Sequence, residues 1–429
     1  MSPAELLQRL IRFDTTNPPG NERACVEFIG EVLTEAGIEW KTYAARPERP
    51  NLVARIPGGS GPGLILQGHV DVVTTVNQKW TRPPFAGELV DGWIWGRGAL
   101  DMKNGVAMMV SAFIRAKRES VKLPGDLILV VLADEEAGGV EGAAWLTDQH
   151  PELFAGVQFT IGELGGYSRQ VASHRFYDVM VSEKRGCQLR LTVRGPGGHG
   201  SVPMREGAMA KLGEILVALN SNRLPVHHTA AVKLQLEGMA AALGEVEGEP
   251  YRRLLDPALT DQVLDELGPA GRPLDAVLHN TVNATMVEGG LKINVIPSDI
   301  HLSLDGRLLP GFGPEDLIAE LRTLVGDRAE IEVVNLAPAQ PEPDLSRFDV
   351  LAEILRELDP QAVPVPYLVS GGTDGRHFAK LGIRTYGFTP VRLPGDFEPW
   401  RTIHDADERI PAEGLDFGTE AIFRAIQRL

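Results

Sequence analysis

A chain of 429 residues is longer than one core needs, so two compact domains are expected. Its 43% hydrophobic content, with 47 Gly and 31 Pro, reads as globular and loop-rich and argues against fibrous or disordered classes. The 58 acidic residues outnumber 42 basic ones, and a net charge of −16 argues against nucleic-acid binding or docking on an anionic membrane.

The opening MSPAELLQRLIRFD has amphipathic helix spacing and lacks the apolar core of a signal peptide or membrane span, so export and insertion are not expected. Helical spacing over 21–38 precedes two strand runs, NLVARI (51–56) and GLILQG (63–68), then a helix over 104–119 and the strand DLILVVLA (126–133). A helix over 139–150 and a strand over 156–163 continue the alternation. The class this implies is α/β, with a mainly parallel sheet sandwiched by helices. In such sheets ligands collect at the carboxyl ends of strands.

Near residue 185 the texture changes. GCQLRLTVRG alternates like a half-exposed strand, and a helix (205–221), an alternating run (299–309), a helix (314–325) and a strand (329–334) follow, which describes a separate α+β unit. Residues 225–280 are weakly periodic and read as an insertion without an assigned use. The proline-rich NLAPAQPEPD (335–344) returns the chain to α/β alternation. The expected domains are therefore 1–184, an inserted 185–336, and 337–429 completing the first. Cys25 and Cys187 are too few for a disulfide framework or a cysteine-based zinc site, and read as small buried residues in a reduced cytoplasm.

The chemistry lies at the ends of the apolar runs. LILQGHVDVV places His69 and Asp71 two residues apart, on one side of an extended segment. They fit a polar turn, or a metal-binding imidazole steadied by a carboxylate. Asp101, in GRGALDMKNG, fits a helix N-cap or a ligand. DEEAGG (134–139) brings Glu135 and Glu136 to another strand end, and TIGELGG brings Glu163. Each alone is an ordinary loop acid, but one sheet would gather them at one edge, where so many carboxylates need cations. Two divalent ions would neutralise the ligating acids and leave a neighbouring glutamate to take a proton from water.

The ordered series GHVD, GRGALDMKNG, DEEAGG, GELGG, GGHGS, INVIPS, GGTDGRHF and TIHDADE resembles, over nearly the whole chain, a family of dinuclear zinc amidohydrolases and peptidases. Its members include glutamate carboxypeptidase, aminoacylase, acetylornithine deacetylase and succinyl-diaminopimelate desuccinylase. The resemblance implies a zinc-peptidase-like catalytic domain with an inserted α+β lid and dimerisation domain. It implies two divalent ions, zinc first and cobalt or manganese as alternatives. Asp101 would bridge them, with His69 and Glu163 completing one set and Glu136 and His404 the other. Glu135 would be the general base and Asp71 the group orienting His69. His199 would stabilise the oxyanion, often from the partner in a homodimer, while Asn294, Arg307 and the backbone of Gly371 and Gly372 hold the substrate's polar end.

The expected reaction is hydrolysis of an amide bond beside a free α-carboxylate, in a small N-acyl amino acid or a peptide. Arg307, whose planar fork suits a carboxylate, argues against a dinuclear aminopeptidase. Glu135 beside a full ligand set argues against a non-catalytic ligand-binding protein. Lid closure would hinge near residues 185 and 336. Two departures stand out: Asn104, where glycine is more usual and where tolerance of left-handed angles would preserve the loop, and Arg376, where small residues are frequent. His377 has no assigned partner, and the pair His227–His228 is expected in an exposed loop.

Overall fold

The runs GLILQGH and LILVVL are each long enough for one buried strand and too short for an ordinary helix. In the computed structural model, which describes residues 1–338 and 343–429, they pair side by side in parallel, Ile65 against Ile128 and His69 against Leu132. Residues Met1–Val181, Asp344–Tyr367 and Thr373–Leu429 form one compact unit, and Ser182–Pro343 with Leu368–Gly372 form another.

The large sheet runs in the order Trp40–Tyr43, Asn51–Ile56, Leu127–Leu132, Gly63–His69, Val157–Gly162, Arg384–Gly387, His174–Glu183 and Ala362–Val369, with Ser168–Val171 beside His174–Glu183. Its centre is parallel: Gly63–His69 pairs that way with both neighbours, and Val157–Gly162 with Arg384–Gly387. Antiparallel strands flank this heart. Strand alternation sends Val53, Ile65, Ile128, Val130 and Leu132 to one face, into a core with Ala143, Leu146, Phe154 and Phe378. Against the strand Gly63–His69 packs the helix Lys103–Arg118, which also contacts Ala412–Arg428. This helix is buried almost all round, as befits one trapped between a sheet and other helices.

The second unit has a four-stranded antiparallel sheet, in the order Thr281–Gly289, Asp299–Leu308, Arg185–Arg194 and Glu330–Leu336. Alternate residues of the two central strands enter a core shared with Leu212, Ile215, Leu317 and Leu321 of the helices Ala208–Ser221 and Pro314–Val325. Where weak periodicity marks 225–280, the chain forms helices, Ala230–Glu247, Glu249–Arg253, Thr260–Leu267 and Arg272–Leu278. They bury Val232, Leu236, Leu254, Val263, Leu264 and Val277 in a second core of this unit, together with Leu309 and Leu368. The short lengths of the last three and the kink at Gly244 in the first break the periodic signal. In the expected return segment, 339–342 lie outside the described residues. Among the described residues, no helix is long and apolar enough to cross a membrane.

Candidate metal centre

Three adjacent parallel strands end on chemistry. His69 is the last residue of its strand, Glu135 and Glu136 follow the strand Leu127–Leu132, and Glu163 follows Gly162. The Nδ1 atom of His69 lies 2.9 Å from the Asp71 carbonyl, which can only accept, so Nδ1 carries the proton and Nε2 turns inward. There it meets Asp101 Oδ1 at 3.2 Å and Glu163 Oε2 at 3.4 Å. The other oxygen of Asp101 lies 3.1 Å from His404 Nε2, which is 3.4 Å from Glu136 Oε2. Asp101 thus stands between two donor sets.

Donor atoms of His69, Glu135 and Glu163 lie within 4.8 Å of one another, as do those of His69, Asp101 and Glu136. Burial raises Glu163 to about 7 despite its contact with His69. Burial, Glu163 and Asp374 together hold Glu135 well above the usual carboxylate range. Burial also resists charge on Asp101, yet His404 and His69 overcome it and hold this carboxyl far below its ordinary value. Asp101, followed by Glu136, raises His404 to about 10. A divalent ion would compete with those extra protons for the same lone pairs. Glu136 Oε1 is buried and has no hydrogen-bond partner among the described residues. Nitrogen and oxygen donors in this crowd, with an unsatisfied acceptor among them, fit two divalent cations.

The scaffold behind the cluster contains residues that sequence reasoning passed over. The Asp71 carboxylate accepts the main-chain N–H groups of Glu135 and Glu136, both at 3.1 Å, and the Asn17 amide at 2.8 Å. Its Oδ1 is 3.4 Å from His69 Nδ1, so the carbonyl makes the shorter contact with that ring and the carboxylate chiefly holds the acidic loop. Asn17 also donates to Asp134, which pairs with Arg49 at 2.6 Å, and Arg49 reaches Glu22 at 2.5 Å. Asp134, the first acid of DEEAGG, is therefore part of a buried ion-pair network. Glu22 carried a legible signal, because it shares a helical face with Val26, Ile29 and Leu33, where a carboxylate needs a partner.

Asn104 lies in the first turn of its helix, at an ordinary helical position, and donates to the Tyr167 hydroxyl at 3.0 Å. Tolerance of left-handed angles is thus not what this position uses. Arg376 Nη1 is 3.5 Å from Glu135 Oε1, and its Nε donates to His377 Nε2 at 3.2 Å.

In the second unit, His199 is exposed and its Nδ1 receives the Ser201 main-chain N–H at 3.2 Å. Arg307 forks onto Asp305 at 2.9 and 3.0 Å. Asn294 is exposed and its carbonyl accepts the Gly200 N–H at 2.9 Å. Gly371 and Gly372 are half-buried and belong to this unit. His227 and His228 are half-buried rather than exposed: His227 bonds Glu320 at 2.7 Å and His228 the Leu254 carbonyl at 2.7 Å, which ties the helical insertion down.

A parallel sheet whose strand ends gather acids and imidazoles around one shared carboxylate defines a metallohydrolase class. Residues 65–428 match peptidase family M20/M25/M40, and the chain belongs to that family as one of its hydrolases. It is 33% identical over 422 residues to a succinyl-diaminopimelate desuccinylase of Methylobacterium radiotolerans, covering 96% of this chain and 92% of the relative. A probable carboxypeptidase S-like 2 of Dictyostelium discoideum is 28% identical over 364 residues, covering 81% and 68%. Among solved structures, the YXEP protein of Bacillus subtilis, described as a dinuclear metal binding peptidase from the M20 family, superposes with a TM-score of 0.63 at 15% identity, over 100% of this chain and 98% of that one.

Proposed function

We propose that this hydrolase uses two divalent cations, zinc by first preference, to cut an amide or peptide bond beside a free α-carboxylate in a small N-acyl amino acid or peptide. The observation that carries the reading is Asp101, whose two oxygens approach different histidines. The names of the relatives, a desuccinylase and a probable carboxypeptidase, support the substrate class, and the dinuclear description of the B. subtilis neighbour supports the cation count.

His69 and Glu163 would hold one cation, Glu136 and His404 the other, with Asp101 shared. When bound, such a pair polarises the scissile carbonyl and makes water nucleophilic at neutral pH. Glu135 takes a proton from the attacking water and returns it to the leaving nitrogen; its place in the donor cluster and the Arg376 charge beside it suit that shuttle. Asp71 keeps the acidic loop and the His69 ring in register. His199 is assigned the oxyanion: with Nδ1 accepting the Ser201 main-chain N–H, the ring proton sits on Nε2, placed to donate. Asn294, Arg307, Gly371 and Gly372 are assigned the substrate's polar end, and Arg307 would share or exchange its Asp305 fork for a carboxylate. Pairing of two copies through the second unit is supported by exposed Met286, Val287, Leu291 and Ile293 on and just beyond its edge strand. Free, buried Cys25 and Cys187 suit a cytoplasmic setting.

The test is a panel of N-acetyl and N-succinyl amino acids and dipeptides, each also as its C-terminal amide, with zinc-loaded protein. Turnover of the acids, lost with chelator and with Glu135→Gln, is expected. Equal turnover of the amides, or ligand binding without turnover, would overturn the reading.

A further inference from the structure

Beyond His404 the chain carries another acid, Glu408, which is fully buried and has no part in the proposed reaction. Its carboxylate accepts four hydrogen bonds. Oε1 receives the main-chain N–H groups of Leu100 at 2.6 Å and Asp101 at 3.0 Å; Oε2 receives the Gly98 N–H at 3.1 Å and Arg97 Nη1 at 2.6 Å. Glu408 therefore grips the backbone that presents the shared carboxylate. The buried Arg97 turns its other terminal nitrogen to Gln78 Oε1 at 2.8 Å, an oxygen that also receives the Trp80 indole N–H at 3.1 Å. The Gln78 amide in turn donates to the main-chain carbonyl of His404 at 2.8 Å.

These contacts close a ring. From Asp101 the path runs by main-chain N–H to Glu408, then through Arg97 and Gln78 to the His404 carbonyl, and Asp101 Oδ2 meets His404 Nε2 across the inside at 3.1 Å. His404 needs such a hold, because it is exposed and sits at φ 63°, in the left-handed region. A single donated hydrogen bond from a half-buried glutamine ties its backbone to the network below.

We infer that Gln78, joined through Arg97 to Glu408, is a positioning residue that fixes His404 against Asp101 and so sets the affinity of the cation site formed by Asp101, Glu136 and His404. The inference rests on the two-cation reading above. Residues that orient a ligand in this way typically change metal affinity by about 10–100-fold when replaced. Among the described residues Gln78 hydrogen-bonds directly to one proposed ligand, His404, and reaches Asp101 only through Arg97 and Glu408, so the larger effect falls on the site that His404 completes.

The test uses the full chain stripped of metal and titrated with Co²⁺, followed by its visible absorption, and with Zn²⁺ against a chromophoric chelator. Wild type is expected to take up two ions. Gln78→Met, which keeps the length and loses both amide groups, is expected to bind one ion as wild type does and the other about 10–100-fold more weakly. Gln78→Glu, which keeps the acceptor for Arg97 and Trp80 but loses the donor to His404, is expected to do the same. For both variants excess metal restores kcat with KM unchanged, and for Gln78→Glu, which keeps the acceptor for Arg97 and Trp80, the urea midpoint of the metal-free protein stays at the wild-type value, outcomes that a merely structural role would not give. Two wild-type-like affinities in both variants, or equal weakening of both sites, overturn the inference alone. A wild type that binds fewer than two ions overturns the two-cation reading and the inference with it.

Discussion

Asp101 Oδ2 lies 3.1 Å from His404 Nε2, although the two residues stand in opposite halves of the chain. Its other oxygen serves His69, so one side chain links two donor sets that do not otherwise share a residue in the proposed coordination. Asp101→Asn should therefore weaken both cations, whereas His404→Ala should weaken one. Metal-to-protein ratios after dialysis check this, with two ions in wild type, fewer than one in Asp101→Asn and about one in His404→Ala. Chelation should abolish activity, and added Zn²⁺ should restore it.

Glu135 is in the cluster yet is not assigned to a cation. Glu135→Gln removes the proton acceptor and keeps the shape, so kcat should fall by about 10²–10⁴-fold while metal content and KM stay near wild type. Steady-state kinetics beside metal analysis separate this outcome from loss of a ligand.

Arg49 is the cation for two buried carboxylates, Glu22 and Asp134. Arg49→Met would strand both, and breaking a buried pair in this way costs about 3–5 kcal/mol. Adding Glu22→Gln removes one stranded charge and should recover part of the loss. Urea unfolding of the single and double variants measures both steps.

A pH effect should arise in the second unit. The buried His279 has Nδ1 2.9 Å from Asp275 Oδ1 and Nε2 3.1 Å from Asp261 Oδ1. Burial alone would lower its proton affinity, but Asp275 and then Asp261 outweigh it and raise the value above the ordinary 6.5. A raised folded-state value means that this stabilisation is complete below about pH 6.5 and is lost as pH climbs through the folded value. Asp275 behaves oppositely: burial pushes it up, His279 and Arg223 pull it below the ordinary value, and its share is present above about pH 4 and lost on acidification. The stability gap between wild type and His279→Gln should be about 1–3 kcal/mol near pH 6 and shrink by pH 9, as measured by denaturant melts across that range.

Local pattern carried much of the fold. GLILQGH and LILVVL are legible because a buried parallel strand is apolar on both faces, and the acids that follow them are legible because strand ends open to solvent. Residues 225–280 were less so: three short helices and a longer one kinked at Gly244, packed with Leu309 and Leu368 from elsewhere in the chain, leave no sustained period. His227 and His228 looked like loop residues because nothing nearby in the chain announces Glu320 or the Leu254 carbonyl.

Sequence by itself determined the alternating α/β order, the acids and imidazole at the strand ends, and the ordered motifs of the family, since each depends on residues within a turn or a strand of one another. Tertiary structure alone decided that Asp134 answers Arg49 while Glu135 and Glu136 face the cluster, that the Asp71 carbonyl sets the His69 ring, and that Gln78 reaches His404. The reason is physical: charge and hydrogen-bond pairing fall off within a few ångströms, and in a folded chain those ångströms are spanned by residues far apart in number.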